Sequence, residues 1–263
     1  APGTLAKAGL SGEAISITNP LVSEESVLRT AQRPGLLQAI AFNESHRRTG
    51  AKLFEIGHVY PPSDGELPDE FEQLTVVLAG AEAPAAMAVW REITSALGGG
   101  ARIDQSKVPA GLHATRSATL QAGKAPLGAV GEVAPDVLAA FDVTERVAIL
   151  EVDLDQFFGR EPKPTQWKPT SRFPSSDLDL SFVVPDEIPA EKVEKAVRQG
   201  AGAFLVDLDL FDNYRDAAQP GVRALGYRIR LQAADRNLTD ADIAEVRRGI
   251  QTTSTKHGAE HRS

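Results

Sequence analysis

The last third of the chain alternates hydrophobic and polar residues with the period of a β-strand, in three segments. Successive side chains of a strand point to opposite faces, so each segment predicts a strand with one buried face. The apolar positions are Leu178, Leu180, Phe182 and Val184 in the first segment, Phe204, Val206, Leu208 and Leu210 in the second, and Leu225, Tyr227, Ile229 and Leu231 in the third. Helical patterns occupy about 189–199 and the residues after Thr239, and a short strand is expected near 259–262. This order predicts a βαββαβ sandwich over residues 171–263.

The polar positions of these strands predict a charged open face, because the apolar face has to pack on the two helices. The charged residues on that face would be Asp177, Asp179, Asp207, Asp209, Arg228 and Arg230. The second and third strands are expected to be neighbours, so Asp207 and Asp209 should pair with the two arginines across the sheet. We expect this face to lack the aromatic pair on which RRM domains stack bases. Residues that read RNA would then lie on the rim and in loops.

The first 160 residues mix short helical and strand patterns. Strands are predicted at Ala14–Thr18, Ala51–Tyr60, Leu74–Ala79, Ser117–Ala122, Leu127–Glu132 and Val147–Asp153. Helices are predicted from Arg33 onward, at Pro84–Leu97 and at Pro135–Phe141. Such a mixture indicates an antiparallel sheet backed by helices, and hence an α+β fold class. Residues 161–170 contain three prolines and no periodicity, so we place a linker there, between a first domain at 1–160 and a second at 171–263.

The net charge of the 263-residue chain is −8, which argues against a protein that holds nucleic acid through a general electrostatic attraction. Residues 171–263 carry 13 Lys and Arg against 15 Asp and Glu, a balance of −2. The C-terminal domain is thus close to neutral. Any contact that it makes with RNA has to be local.

The sequence carries no signature of a metal site or of an enzyme nucleophile. It has no cysteine, and its five histidines do not show zinc-binding spacing. A nucleophile elbow and a phosphate-binding P-loop are also missing. The Asp-Leu-Asp triplets at 153–155, 177–179 and 207–209 could mimic metal carboxylates, but the polar face of an amphipathic strand explains them as well. We therefore predict no catalytic residue and no metal ligand in this chain.

Composition also bears on where the protein works. The chain has no run of about 18 apolar residues, so no membrane span is expected. The lack of cysteine fits a reducing compartment, and we expect a cytoplasmic protein. The sequence begins Ala-Pro-Gly, without a methionine or a signal pattern, which suggests a piece of a longer polypeptide or a processed product.

The segment Phe211–Arg215, with the sequence Phe-Asp-Asn-Tyr-Arg, follows the second predicted strand of the C-terminal domain. Its carboxylate could hydrogen-bond a base edge, its phenol ring could stack on a base, and its guanidinium could hold a phosphate. The same residues could instead form a simple strand end, in which Asp212 and Asn213 make a turn and Tyr214 is half-buried. The residues alone leave both interpretations open.

Three motifs of the C-terminal domain occur in the order found in the anticodon-binding domain of the bacterial phenylalanyl-tRNA synthetase beta subunit, which this region resembles. They are Ser-Arg-Phe-Pro at 171–174, Leu-Phe-Asp-Asn-Tyr-Arg at 210–215 and Asp-Arg-Asn-Leu-Thr-Asp at 235–240. The resemblance implies a ferredoxin-like domain in which Asp212 and Tyr214 face the anticodon, with Arg215 beside them.

The same resemblance extends the expected tRNA-binding set to three further residues. Arg172 and Phe173 would lie on the same rim as Asp212 and Tyr214, although packing of the linker is an alternative role for them. Arg236 would also contact tRNA. Its alternative is a salt bridge at the start of the following helix, with Asp235 or Asp240 as the partner.

The first domain resembles the class II synthetase-like domain of the same subunit. The segments that carry this resemblance are Val27–Thr30, Pro34–Leu37 and Leu53–Tyr60. A working class II site needs an arginine directly after such a strand to hold the ATP α-phosphate, and acidic residues for magnesium. Here Tyr60 is followed by Pro61 and Pro62, which offer neither a charge nor an N–H donor. We therefore expect a catalytically inactive domain, with Arg29 as an interface or core ion-pair residue rather than on a phosphate.

The resemblance runs from about Ile17 to Arg262 and implies the C-terminal part of the beta subunit of phenylalanine-tRNA ligase. That family of enzymes joins phenylalanine to tRNA-Phe with ATP and Mg²⁺, as an α₂β₂ heterotetramer. The alpha subunit would bind ATP and Mg²⁺ and perform the chemistry. This chain would hold no cofactor, would brace the alpha subunit and would bind the anticodon region of tRNA-Phe, away from any membrane. A free-standing RNA-binding protein, or an amino-acid sensor built from synthetase domains, is the alternative.

Overall fold

The computed structural model describes residues 3–61, 63, 68–123, 125–159, 171–216 and 218–262. The chain divides into two compact units, Ala1–Thr165 and Gln166–Ser263. The predicted linker at 161–170 lies outside the described residues, as does Pro62. Each unit is described by itself below.

The first unit is built on an antiparallel sheet with the strand order β1-β2-β6-β5-β4-β3. Its strands are β1 (Lys52–Val59), β2 (Phe71–Ala79), β3 (Arg102–Asp104), β4 (Leu112–Ala122), β5 (Ala125–Val133) and β6 (Val147–Asp153). Its helices are α1 (Thr4–Lys7), α2 (Arg33–Ser45), α3 (Ala83–Leu97), α4 (Pro135–Ala140) and α5 (Leu154–Phe158). The expected antiparallel sheet with helices is confirmed.

Two hydrophobic cores cover the faces of this sheet. On one face α2 and α4 pack against alternate strand residues such as Val77 and Ile149. On the other face Trp90 of α3 packs against residues of the opposite phase, such as Leu150. Strand β6 lies between the cores, so the six residues 147–152 are all buried.

Several short elements differ from the sequence expectation. The strand expected at Ala14–Thr18 is a single bridge between Ser16 and Val27. Strand β3 and helices α1 and α5 were not expected, because three to five residues are too few to show a period. Asp153 is the N-cap of α5 and accepts a hydrogen bond from the Gln156 backbone N–H at 2.8 Å. The Asp-Leu-Asp triplet at 153–155 therefore marks the end of β6 and the start of α5.

The second unit has the expected order βαββαβ. Its elements are β7 (Ser176–Pro185), α6 (Ala190–Ala201), β8 (Leu205–Tyr214), β9 (Val222–Leu231), α7 (Asp240–Lys256) and β10 (Glu260–Arg262). The strands form an antiparallel sheet in the order β10-β7-β9-β8. Its apolar face and the two helices enclose one core, which includes Phe182, Val197, Tyr227 and Ile250.

Strand β8 departs from simple alternation at two bulges. Leu205 is in register with Leu231 and Asp207 with Arg230, so Val206 is an extra residue. Leu205 packs on the core, whereas Val206 is 56% exposed. The expectation that Val206 faces the core is therefore wrong, because the bulge shifts the phase of the strand by one residue.

Candidate nucleic-acid interface

The open face of the second unit carries the expected charged residues, but Arg228 and Arg230 donate their hydrogen bonds to aspartates of a different strand than expected. Arg228 donates two hydrogen bonds to Asp179, at 3.0 and 2.9 Å, and Arg230 donates two to Asp177, at 2.9 and 3.2 Å. These aspartates lie on β7. Asp207 and Asp209 of β8 do lie opposite Arg230 and Arg228, as expected, but they accept no hydrogen bond from them. A guanidinium binds one carboxylate through two parallel N–H donors. The Asp179 and Asp177 carboxylates of β7 take up these donors in Arg228 and Arg230.

The same hydrogen bonds shift the acidities of the groups that they join. The hydrogen bond from Arg230 lowers the pKa of Asp177, and that from Arg228 lowers the pKa of Asp179. In return, the hydrogen bonds to these carboxylates raise the pKa of each arginine. All four side chains are thus charged at neutral pH and engaged with each other. Neither guanidinium on this face is free to hold a phosphate.

The second bulge of β8 places the predicted RNA-reading residues on the open face. Leu210 is in register with Tyr227 and Asp212 with Gly226, so Phe211 is the extra residue. Tyr227 points into the core and Gly226 away from it, so Asp212 and then Tyr214 point outward. Without this extra residue, strict alternation would turn both side chains toward the helices. The bulge thus determines which face Asp212 and Tyr214 occupy.

Phe211 also lies on the open face, where no aromatic platform was expected. Its side chain is 50% exposed, and that of Tyr214 is 55% exposed. The guanidinium carbon of Arg228 lies 5.3 Å from the centre of the Phe211 ring, within the range of a cation–π interaction. Sequence reasoning missed this ring because its orientation depends on the bulge. The available signal was Gly226, whose lack of a side chain leaves room for a ring.

The six predicted tRNA-binding residues fall into two groups at opposite ends of β9. Tyr214 pairs with Ala224 near one end, whereas Gln232, just past the other end, donates a hydrogen bond to the Phe173 carbonyl at 2.6 Å. Leu231 lies seven positions after Ala224, or about 23 Å along a strand. Arg172 and Phe173 therefore do not share a rim with Asp212, and that expectation is wrong.

Two of the predicted arginines are engaged in ion pairs. Arg215 donates a hydrogen bond to Asp186 at 3.1 Å, with both side chains partly exposed. Arg236 donates two to Asp242, at 2.6 and 2.9 Å, and its guanidinium lies 5.7 Å from the ring centre of Phe204. The salt bridge at the start of α7 is thus present, with Asp242 as the partner instead of Asp235 or Asp240.

Asp242 belongs to a full capping box at the start of α7. The Thr239 hydroxyl accepts a hydrogen bond from the Asp242 backbone N–H, and the Asp242 carboxylate accepts one from the Thr239 N–H at 2.8 Å. The hydrogen bonds from Arg236 and Thr239 hold the pKa of Asp242 well below its usual range. Arg236 therefore stabilises the start of this helix.

The remaining two predicted residues differ in accessibility. The Arg172 side chain is exposed and makes no hydrogen bond or ion pair with any other described residue. Phe173 is half-buried, and its backbone N–H donates to the Ser171 hydroxyl at 3.2 Å. Arg172 can thus reach a ligand, whereas the surroundings of Phe173 are those of a packed residue.

Both units match known families. Residues 4–154 match the "Phenylalanyl tRNA synthetase beta chain CLM domain", and residues 171–262 match the "Ferredoxin-fold anticodon binding domain". This chain belongs to the phenylalanyl-tRNA synthetase beta-chain family. The second match is also a direct confirmation of the predicted ferredoxin-like fold.

Curated relatives agree with this membership. A phenylalanine–tRNA ligase beta subunit from Symbiobacterium thermophilum is 32% identical over 95% of this chain and 30% of its own length. Those of a Synechococcus strain and of Leifsonia xyli subsp. xyli are 33% and 31% identical, over 92% and 89% of this chain. The chain spans about a third of the length of the synthetase beta subunits that it matches.

In the synthetase-like first unit, Arg29 lies in an ion pair. Its guanidinium contacts the Glu55 carboxylate and donates to the His58 carbonyl at 2.8 Å. The Arg29 carbonyl in turn accepts from the Tyr60 N–H at 2.8 Å. Arg29 therefore fixes its own segment to β1, which agrees with the ion-pair role expected for it.

The described residues show neither a membrane-spanning helix nor a cluster of metal ligands. No helix among them is long and apolar enough to cross a membrane. No group of three or more His, Asp or Glu side chains within the same residues could hold a metal ion.

Proposed function

We propose that this chain is the part of a phenylalanine-tRNA ligase beta subunit that braces the catalytic alpha subunit and binds the anticodon region of tRNA-Phe. The family membership of both units supports the assignment. The observation that carries the RNA contact is the bulge of β8, which turns Asp212 and Tyr214 onto an exposed face. We assign residues 1–160 to the bracing domain and 171–263 to the RNA-binding domain.

The bracing domain has no catalytic role in this proposal. Arg29 is occupied by Glu55 and by a backbone carbonyl, and Tyr60 is followed by Pro61 rather than by an arginine. The alpha subunit would therefore hold ATP and Mg²⁺ and form the aminoacyl bond, within an α₂β₂ assembly in the cytoplasm. This chain would supply a protein surface and an RNA contact.

Three residues at one end of the sheet would contact the anticodon loop. The Asp212 carboxylate can accept hydrogen bonds from a base, and the exposed Tyr214 ring can stack on one. Arg215, beside them, can hold a phosphate if it leaves Asp186. Arg172 would hold a phosphate at the other end of the sheet. For Phe173 and Arg236 the contacts favour packing and helix capping over a direct RNA contact.

Binding of the tRNA-Phe anticodon stem-loop to the whole chain tests the RNA contact. We expect Tyr214→Ala to weaken binding by about 1–3 kcal/mol, the usual loss when a base loses its aromatic partner. Asp212→Asn should also weaken it, because the amide replaces one acceptor by a donor. Asp207→Asn is the matched control, since it removes the same charge from the same strand and face. Equal affinities for all four proteins would reject the site.

A pulldown tests the bracing role independently of RNA. The chain should be retained by a tagged alpha subunit of the same enzyme and should form no aminoacyl-adenylate when incubated alone with ATP and phenylalanine. Failure to bind the alpha subunit would favour a free-standing RNA-binding protein. Adenylate formation by this chain alone would contradict the inactive assignment.

A further inference from the structure

We propose that the Phe211 ring is a stacking platform for an unpaired base, next to the Asp212 and Tyr214 contacts. This inference rests on the proposed RNA contact of the open face. It adds a residue that the sequence motifs left without a role. An exposed apolar ring at a bulge, close to a cation, is the observation from which it starts.

Because Gly226 has no side chain, the Phe211 ring can pack directly against its backbone. A Cβ atom at Gly226 would lie only 3.0 Å from Phe211 Cζ and 3.1 Å from Asp212 Cβ. Any larger residue would therefore push the ring away from the sheet. Val206, at the other bulge of the same strand, is equally exposed but carries no ring.

Arg228 lies over one face of the ring and Asp179 fixes it there, so a base would stack on the opposite face. The Arg228 guanidinium lies 5.3 Å from the ring centre and is fixed by its two hydrogen bonds to Asp179. The Arg228 guanidinium cannot move away from the ring without breaking both of these hydrogen bonds. The ring is thus ordered before any ligand arrives, and stacking on it would cost little conformational entropy. Arg228 and Asp179 are positioning residues in this arrangement.

The surrounding charge selects a base rather than a phosphate as the stacked group. Asp207 and Asp209 add two carboxylates to the open face, and Asp179 already occupies Arg228. A phosphate placed over this part of the sheet would meet mostly negative charge. A neutral base meets a flat apolar surface instead, as single-stranded RNA does on aromatic residues of other proteins. The ligand class is therefore an unpaired base of the anticodon loop.

Fluorescence of 2-aminopurine, placed at one loop position at a time in the tRNA-Phe anticodon stem-loop, tests this stacking with the whole chain. The wild type should quench the probe at two positions, one stacked on Tyr214, which Tyr214→Ala identifies, and one stacked on Phe211. Phe211→Leu should remove the quench at the Phe211 position and weaken binding about 5- to 150-fold, the equivalent of one lost base stack. Phe211→Tyr should retain both properties, and Gly226→Ala should reduce the same quench by displacing the ring. Val206→Ala is the matched control and should change neither property.

The outcomes separate this inference from the proposed function. If the wild type does not bind the stem-loop, the proposed function fails and this inference fails with it. If the wild type binds, but Phe211→Leu binds equally well or still quenches at both positions, only the platform is rejected. The Gly226→Ala variant keeps the Phe211 ring itself. An unchanged quench at the Phe211 position in that variant would therefore reject the role of Gly226 in positioning the ring.

Discussion

At the scale of single residues, the fold of the first unit depends on a charge pair that the sequence does not reveal. Arg33 is 2% exposed and donates hydrogen bonds to Glu151 at 3.0 and 2.6 Å. It also donates to the carbonyls of Ala8 and Ala110, at 3.3 and 2.6 Å. In the sequence, Arg33 only marks the start of a helix before Pro34. Its partner is 118 positions away, so no local pattern could identify the pair.

We predict that Glu151→Gln destabilises the protein by about 3–5 kcal/mol, because the substitution leaves the Arg33 charge buried without a counter-charge. The free energy of urea unfolding measures this loss. Glu82→Gln is the control, since Glu82 pairs with Arg146 where both side chains are more than half exposed. That change should cost at most about 1 kcal/mol. Equal losses for the two variants would contradict the buried-pair account.

The Asp242 carboxylate gives a prediction about pH. Its pKa is depressed in the folded protein by the hydrogen bonds from Arg236 and Thr239, so the charged form contributes stability. This contribution is complete above the unfolded pKa of about 3.9 and is lost as the pH falls through the lower folded pKa. Denaturant unfolding of wild type and Asp242→Asn should therefore differ at pH 6, and the difference should shrink below about pH 4. A difference that grows on acidification would have the wrong sign.

At the scale of elements, the sequence predicts the strands of the second unit but not their bulges. Period-two alternation identifies β7 and β9 because Asp177 and Asp179, and likewise Arg228 and Arg230, alternate with residues of the core. In β8 the bulge residues Val206 and Phe211 are themselves apolar, so the phase shift is invisible in the hydrophobic pattern. The direction of Asp212 and Tyr214 follows from pairing with β9. The sequence motif could therefore identify the residues of the candidate site, but not the face of the sheet on which their side chains lie.

The packing of α6 on α7 requires a residue without a side chain. A Cβ atom at Gly200 would lie 2.5 Å from the Ile250 Cα and 2.5 Å from the Thr253 hydroxyl oxygen. We predict that Gly200→Ala forces the helices apart and destabilises the protein by about 1–3 kcal/mol, measured by thermal unfolding. Gly35→Ala in α2 is the control, because no atom lies within 4 Å of its added Cβ. That variant should be neutral or slightly stabilised, and a similar loss in both variants would contradict the close-packing account.

At the scale of the whole molecule, the distribution of charge favours local contacts with RNA over a general attraction. The C-terminal unit of the chain is nearly neutral. The open face keeps its arginines paired with aspartates, so it offers few free cations to RNA. Specific contacts at one end of the sheet, and not a general attraction for phosphate, would then carry recognition.

The fold class, the order of the elements in the second unit and the family could be predicted from the sequence, because they depend on period, turn residues and motifs. The grouping of the six candidate residues could not. Arg172 and Arg236 precede and follow strands whose ends meet far from Tyr214, and only the register of β7 and β8 on β9 shows this separation. The family resemblance placed Arg172 and Phe173 on the same rim as Asp212, whereas the sheet divides the six residues between two ends.

The most direct test of the central claim is the affinity of the whole chain for two stem-loops that differ only in the anticodon. The account predicts that the tRNA-Phe anticodon stem-loop binds at least about fivefold more tightly than the same stem-loop with the anticodon replaced, the equivalent of about 1 kcal/mol. This preference should vanish in the Asp212→Asn, Tyr214→Ala double variant. Equal affinities of the wild type for the two RNAs, or a preference that survives in the double variant, would contradict anticodon reading by this face.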